Sequence, residues 1–184
     1  MADPTWKDRS APGAIGWGRM VSTILARAGV PATALPALIE AIWESHVDHN
    51  LWSLVPDGFS ASLQKLRRAG VKTAIVSNSE GMLDRLFEKL GIAGDFDAVI
   101  DSGKVGVEKP DPRIFQIAAE RTGTKLGRAL HLGDMVSTDV MGAKAAGMRC
   151  ALVDPYGHWE GMYPEVPRVA GVVEVARAIV DARR

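Results

Sequence analysis

Three short clusters in this 184-residue chain have residue types and spacings that could do chemistry. The first is Ser77-Asn78-Ser79-Glu80, directly behind an apolar run and ahead of a helical one. A hydroxyl, an amide and the free N–H groups of a helix start together favour an anion. The same four residues also read as the Ser-x-x-Glu capping box that any helix uses. The second is Gly106-Val107-Glu108-Lys109-Pro110-Asp111-Pro112. Asp111 and Pro112 suit the N-cap and first position of a helix. Pro110 biases Lys109 toward an extended backbone that aims its side chain. That cation would neutralise a phosphate or a carboxylate attacking one, although a lone loop lysine is ordinarily just exposed. The third is Gly133-Asp134-Met135-Val136-Ser137-Thr138-Asp139, continuing into Gly142-Ala143 and Ala146-Gly147-Met148. A carboxylate at the mouth of an apolar strand is costly unless it meets a cation. Asp134 and Asp139 together suit Mg²⁺, which takes a few carboxylates, substrate oxygens and water. The plainer alternative is that Asp134 or Ser137 caps the following helix.

The elements that must position these clusters change character near Pro56. Before it the pattern is helical: Met20, Val21, Ile24, Leu25 and Ala28 share one face, closed by Gly29. From about Thr33, Leu35, Leu38, Ile39, Ile42 and Trp43 repeat that spacing. After Pro56, helices alternate with short strand-like runs at 71–76, 98–100, 129–132 and 150–153. The helices between them end at Gly70, Gly91 and Gly147, and 172–180 reads as a terminal helix. Such alternation predicts right-handed βαβ units and an α/β fold with a parallel sheet flanked by helices. Ligands of such sheets bind beyond the carboxyl ends of the strands, where all three clusters fall. The expected division is a helical subdomain over 1–56 and an α/β core over 57–184.

Composition bounds the function. Lys+Arg and Asp+Glu balance at 22 each, and no basic stripe is interleaved with aromatics, so a nucleic-acid partner is not expected. No run approaches a membrane span, and Cys150 is the only cysteine, which suits a reducing, cytoplasmic setting. Gly13, Gly16 and Gly18 lack both the Gly-x-Gly-x-x-Gly spacing and a preceding strand, which rejects a dinucleotide-binding loop. Trp43 is expected in the core, His46 and His49 on the solvated surface, and Trp52 is a candidate to face the site. His158, Trp159 and Glu160 are candidates for its rim or for an interface. The Trp and Met content leaves a homo-oligomer open.

In this order, the three clusters strongly resemble the haloacid dehalogenase-like (HAD) hydrolase superfamily, over about residues 56–155. Val76-Ser77-Asn78 resembles its second motif, which binds the phosphoryl group. Lys109 resembles its third, the lysine that steadies nucleophile and phosphate. Asp134 through Asp139 resembles its fourth, the acidic Mg²⁺ motif. The resemblance implies a HAD-like (Rossmann-like) sheet with a small helical (C1-type) cap. It further implies Mg²⁺-dependent hydrolysis of a small phosphorylated metabolite through an aspartyl-phosphate, since dehalogenating members carry Ser/Asn-rich sequence at the fourth motif. Ser77, Asn78 and Lys109 would then bind phosphate, Lys109 would be catalytic, and Asp134 and Asp139 would hold the metal.

The family's first motif, Asp-x-Asp at the end of its first strand, has no counterpart ahead of the cap-like helices. The acids there, Asp3 and Asp8, lie in polar sequence. In the family that strand lies mid-sheet, between the strands ending here at Val76 and Leu132, so its loss would expose two interior edges. Three expectations follow: a shortened N-terminus; a strand donated by another segment or a partner chain; or a diverged, non-catalytic protein, binding phosphate and Mg²⁺ or a partner, whose N-terminus packs in an unusual way. A shortened or unusual N-terminus is favoured over simple loss of activity.

Overall fold

The computed structural model describes residues 11–183. Helices α1 (Ala14–Arg27) and α2 (Leu35–Asp48) come first and pack through Ala14, Ile39 and Trp43, with Trp17, Leu25 and Val47 around them. After α3 (Phe59–Arg68) come β1 (Ala74–Ser77), α4 (Leu83–Lys89), β2 (Ala98–Asp101), the short α5 (Ser102–Val105) and α6 (Arg113–Thr122). Then follow β3 (Leu130–Gly133), a π-helical turn (Val136–Val140), α7 (Met141–Ala145), β4 (Arg149–Val153), β5 (Arg168–Val169) and α8 (Val172–Asp181). Gly29, Gly70, Gly91 and Gly147 end their helices at positive φ, as the sequence pattern requires.

All strand pairings are parallel, as expected of alternating strands and helices. The sheet nevertheless falls into two parts. β1 pairs with β2 from Ala74↔Ala98 to Ser77↔Asp101, and β4 lies between β3 and β5. Among the described residues no ladder joins β1 to β3. Strands covered on both faces are normally buried, as Ala151 and Leu152 of β4 are. Ile75 and Val76 of β1 and Leu132 of β3 are only half-buried, and Leu130 is exposed. One core still spans both parts. Ile114 and Phe115 of α6 pack with Ile100 of β2, Ala143 of α7 and the flanking Val76 and Cys150. On another face α3 and α8 meet through Leu63, Leu66 and Ala176.

Local chemistry explains where the elements differ from the sequence pattern. Residues 71–73 lie outside the strand: Val71 N–H closes the end of α3 on Leu66, and Thr73 N–H donates to the Asp97 carboxylate. The capping box at Ser77 and Glu80 does not form. Helix α4 starts later, at Leu83, whose N–H donates to the Asp101 carboxylate reaching over from β2. Helix α6 starts one residue later than expected, with Pro112 at the N-cap, and Asp111 just before it accepts from Arg113 N–H. Strand β5 was not legible, being two residues long. No described helix is long and apolar enough to cross a membrane.

Candidate active site at the strand ends

The carboxyl ends of β1 and β3 bring the three clusters together through a chain of polar contacts. Asn78, just past β1, brackets the backbone of Lys109: its amide donates to Lys109 C=O (2.9 Å) and accepts from Lys109 N–H (2.7 Å). So anchored, Lys109 reaches the far side, where its Nζ lies 2.6 Å from Asp139 Oδ1. His131 of β3 donates from Nε2 to the same oxygen at 2.8 Å, because an ionised carboxylate only accepts. The other oxygen accepts from Met135 N–H (3.1 Å) and from the Thr138 hydroxyl (3.4 Å).

Asp139 is 2% exposed. Burial alone would push its carboxyl up, but hydrogen bonds from His131 and Lys109, with their charges, outweigh it and hold the pKa at about 2. It is therefore a permanent anion in the folded protein at ordinary pH.

Two glycines make this arrangement sterically attainable. A Cβ on Gly133 would lie 2.2 Å from Asp139 Cγ, so the last residue of β3 must be bare for the carboxylate to fold back over it. A Cβ on Gly142 would come 2.9 Å from Phe115 and 3.0 Å from Pro110, so α7 can press directly on the loop that carries Lys109. The π-helical turn between them closes Asp139 and Val140 N–H onto Met135 C=O, a distortion that often marks functional positions.

The structure refines the sequence assignments. Ser77 and Lys109 stand at the site, and the Ser77 hydroxyl makes no hydrogen bond among the described residues, so it is open to a ligand. Asn78, the expected phosphate ligand, holds the Lys109 backbone through both its polar atoms, and its second amide N–H carries no partner among the described residues. Asp134 and Asp139 were read as a metal pair, yet they are not equivalent. Asp134 is exposed with its carboxylate unpartnered among the described residues, while its C=O accepts from Trp159 Nε1. Asp139 is given over to Lys109 and His131. Trp159 therefore lies against the loop after β3, with the exposed His158 ring edge-on to it at 5.1 Å, and Glu160 is exposed. Of the two histidines expected on the surface, His49 is exposed, whereas His46 is buried between Trp17 and Trp43. Trp43 is core and Trp52 is exposed. Sequence reasoning missed His131, Asp101 and Ser102. The last two are buried and tie the loop after β1 to β2; a polar pair closing an apolar strand was the available signal.

One Asp-x-Asp does occur, at Asp95-Phe96-Asp97. It precedes β2 and so lies at the amino ends of the strands, away from the site, where Asp97 accepts from Thr73 N–H and Lys72. It cannot supply the first motif.

Parallel strands flanked by helices, with a hydroxyl, a lysine and two carboxylates past their carboxyl ends, place the chain among α/β proteins with a polar site at the sheet's edge. Comparison with known proteins narrows this: the chain belongs to the haloacid dehalogenase-like hydrolase family, whose sequence profile matches residues 15–147. It is 35% identical over 138 residues to haloacid dehalogenase-like hydrolase domain-containing protein 3 of Mus musculus, covering 74% of this chain and 55% of the relative. It is 34% identical over 155 residues to a phosphoserine phosphatase of Thermus thermophilus, covering 83% and 58%. The chain thus spans little more than half the length of these relatives. Among solved structures, the HAD-hydrolase YfnB of Bacillus subtilis, bound to magnesium, superposes with a TM-score of 0.66 at 19% identity, covering 90% of this chain and 82% of that one.

Proposed function

We propose that this chain forms the phosphate-gripping side of a phosphomonoester hydrolase site. The observation that carries the proposal is the Asn78–Lys109–Asp139 chain of contacts, which joins the carboxyl end of β1, where Ser77 stands, to the turn after β3 that carries Asp134 and Asp139. In this reading the Ser77 hydroxyl donates to a phosphoryl oxygen of a small phosphorylated metabolite. Lys109, held by Asn78 and Asp139, places its ammonium where charge develops in the transition state. Turnover requires a carboxylate to attack phosphorus in line, breaking the P–O bond to the leaving alcohol and forming an acyl phosphate that water then cleaves. No described residue is placed for that attack.

The edges of β1 and β3 that carry no ladder among the described residues suggest where such a carboxylate enters. A further extended, apolar strand between them would satisfy both edges and bring its last residue out beside Ser77 and Lys109. A segment of the same protein or a strand-donating partner would serve equally. The second reading, a non-catalytic phosphate-binding protein, is favoured by the same lack of a placed nucleophile.

Magnesium is expected from the family resemblance. The described residues do not by themselves fit it: both Asp139 oxygens already accept two hydrogen bonds each, and no group of three candidate ligands forms among the described residues. Asp134 alone is open to a cation, and no step is derived through a metal. The test is calorimetric binding of inorganic phosphate, alongside hydrolysis of an aryl phosphate, with and without Mg²⁺. Phosphate binding lost in Lys109→Met is the expected result. Binding with no turnover, even with an apolar strand ending in Asp supplied upstream, selects the non-catalytic reading. No phosphate affinity in either form overturns both.

A further inference from the structure

The loop after β1 that would cradle phosphate is gripped from two sides. On the core side, Ser102 Oγ accepts from Ser79 N–H (2.9 Å) and donates to Ser79 C=O (3.1 Å), where Gly103 N–H also donates (3.0 Å). A Cβ on Gly103 would lie 2.6 Å from the Glu80 backbone, so this approach admits only glycine. On the other side stand the two N-terminal helices. Gly13 N–H donates to Glu80 C=O at 2.8 Å, and a Cβ there would come 2.6 Å from Glu80 Cα. Gly81 abuts the Pro12 ring just as closely. The side chain of Glu80 then crosses to α2, where its Oε1 meets His46 Nε2 at 3.0 Å, both side chains largely buried at 8% and 15% exposure. The His46 ring itself stacks on Trp17 (centroids 5.2 Å apart, 27° between planes) and lies tilted against Trp43 at 5.8 Å.

A buried His–Glu contact is not what packing two helices onto a sheet requires; an apolar pair would serve at lower desolvation cost. What the polar contact adds is direction. It fixes one carboxylate, three residues after Ser77, to a buried ring packed against two indoles that also touch each other. We infer that His46 is a positioning residue for the phosphate loop. Through Glu80 the helical segment sets the loop's conformation, so these helices are part of the anion site's framework and not merely a cover over it. The inference rests on the phosphate reading above for its functional consequence, while the mechanical coupling stands on the geometry alone.

Two measurements on the full chain separate them. Hydrogen exchange of the amides in residues 77–83 reads the coupling, and calorimetry with inorganic phosphate reads its consequence. His46→Ala should speed that exchange about tenfold and weaken phosphate binding by a similar factor, the scale of one lost buried hydrogen bond to a charged group. His46→Gln, whose amide nitrogen reaches the position of Nε2, should restore both to within about threefold. Leu25→Ala controls for loss of helix packing alone: it should lower the melting temperature without changing loop exchange. Unchanged exchange in His46→Ala, or equal acceleration in Leu25→Ala, overturns the inference. Faster exchange in a protein that never binds phosphate leaves the coupling standing and removes the phosphate reading instead.

Discussion

Replacing Asp139 by Asn tests the polar bridge between the two half-sheets most directly, because the cost can be worked out and has a pH signature. Asp139 accepts from Lys109, His131, Met135 and Thr138, and its pKa is held at about 2 against an ordinary 3.8. That difference corresponds to about 2 kcal/mol favouring the folded state when the group is ionised. A folded-state pKa below the unfolded one means the stabilisation is fully present above the ordinary value. It is lost as pH falls from about 4 through about 2. Asn keeps the shape but removes the charge, leaving Lys109, 12% exposed, without its counter-ion. Breaking such a pair costs on the order of 3–5 kcal/mol, and the 2 kcal/mol lies within that figure. The assay is urea unfolding of both proteins with EDTA present, from neutral pH down to about pH 2.5. The gap in unfolding free energy should be about 3 kcal/mol near neutrality and should shrink as the wild type protonates. A gap below about 1 kcal/mol at neutrality, or one equally large at about pH 2.5, would refute the reasoning.

Gly133→Ala should cost about 2–4 kcal/mol by chemical denaturation, since its Cβ would lie 2.2 Å from Asp139 Cγ. In an Asp139→Gly background, which removes Cγ and also the Cβ that would lie 2.4 Å away, most of that cost should vanish, and additive effects would show that the clash is elsewhere. Asn78→Ala removes both contacts to the Lys109 backbone and should cost about 1–2 kcal/mol, with phosphate affinity falling more than in a surface control. Phe115→Ala, at a residue 1% exposed in the core shared by both half-sheets, should cost about 3–5 kcal/mol and lower the urea midpoint in a single transition.

The fold was legible where period and punctuation agree. Apolar runs of three to six residues alternating with amphipathic helices, most of them ended by a glycine, gave β1 to β4 and the helices between them with small boundary errors. Those errors share a cause: a side chain from far along the chain took the backbone group that local reasoning assigned nearby. Asp97 took Thr73 N–H, and Asp101 took Leu83 N–H. At the site, Ser77 was legible at the end of β1, Lys109 beside Pro110 in the loop before α6, and Asp139 in the run after β3 with Gly133 and Gly142 in place. Their division of labour was not. That Asn78 serves Lys109 depends on how two loops 31 residues apart meet, and that His131 serves Asp139 depends on the π-helical turn folding back over Gly133; spacing along the chain encodes neither. His46 was misread for the same reason: only the approach of Glu80 and two indoles turns a surface-spaced histidine into a buried one.

The site and the stability of the α/β core are physically one problem here. No ladder joins β1 to β3 among the described residues, so what holds the half-sheets together is the α6–α7 core beneath and the Asn78–Lys109–Asp139–His131 chain above. A ligand that drew Lys109 toward a phosphoryl oxygen would weaken its hold on Asp139 and so loosen the upper link. A strand entering between β1 and β3 would do the opposite, replacing that link with main-chain hydrogen bonds on both edges. The two events should therefore be coupled with a definite sign: filling the edges frees Lys109 to leave Asp139, and phosphate should bind more tightly to the strand-completed protein than to this chain alone. Equal phosphate affinity in the two forms would mean that Lys109 is not the group that moves.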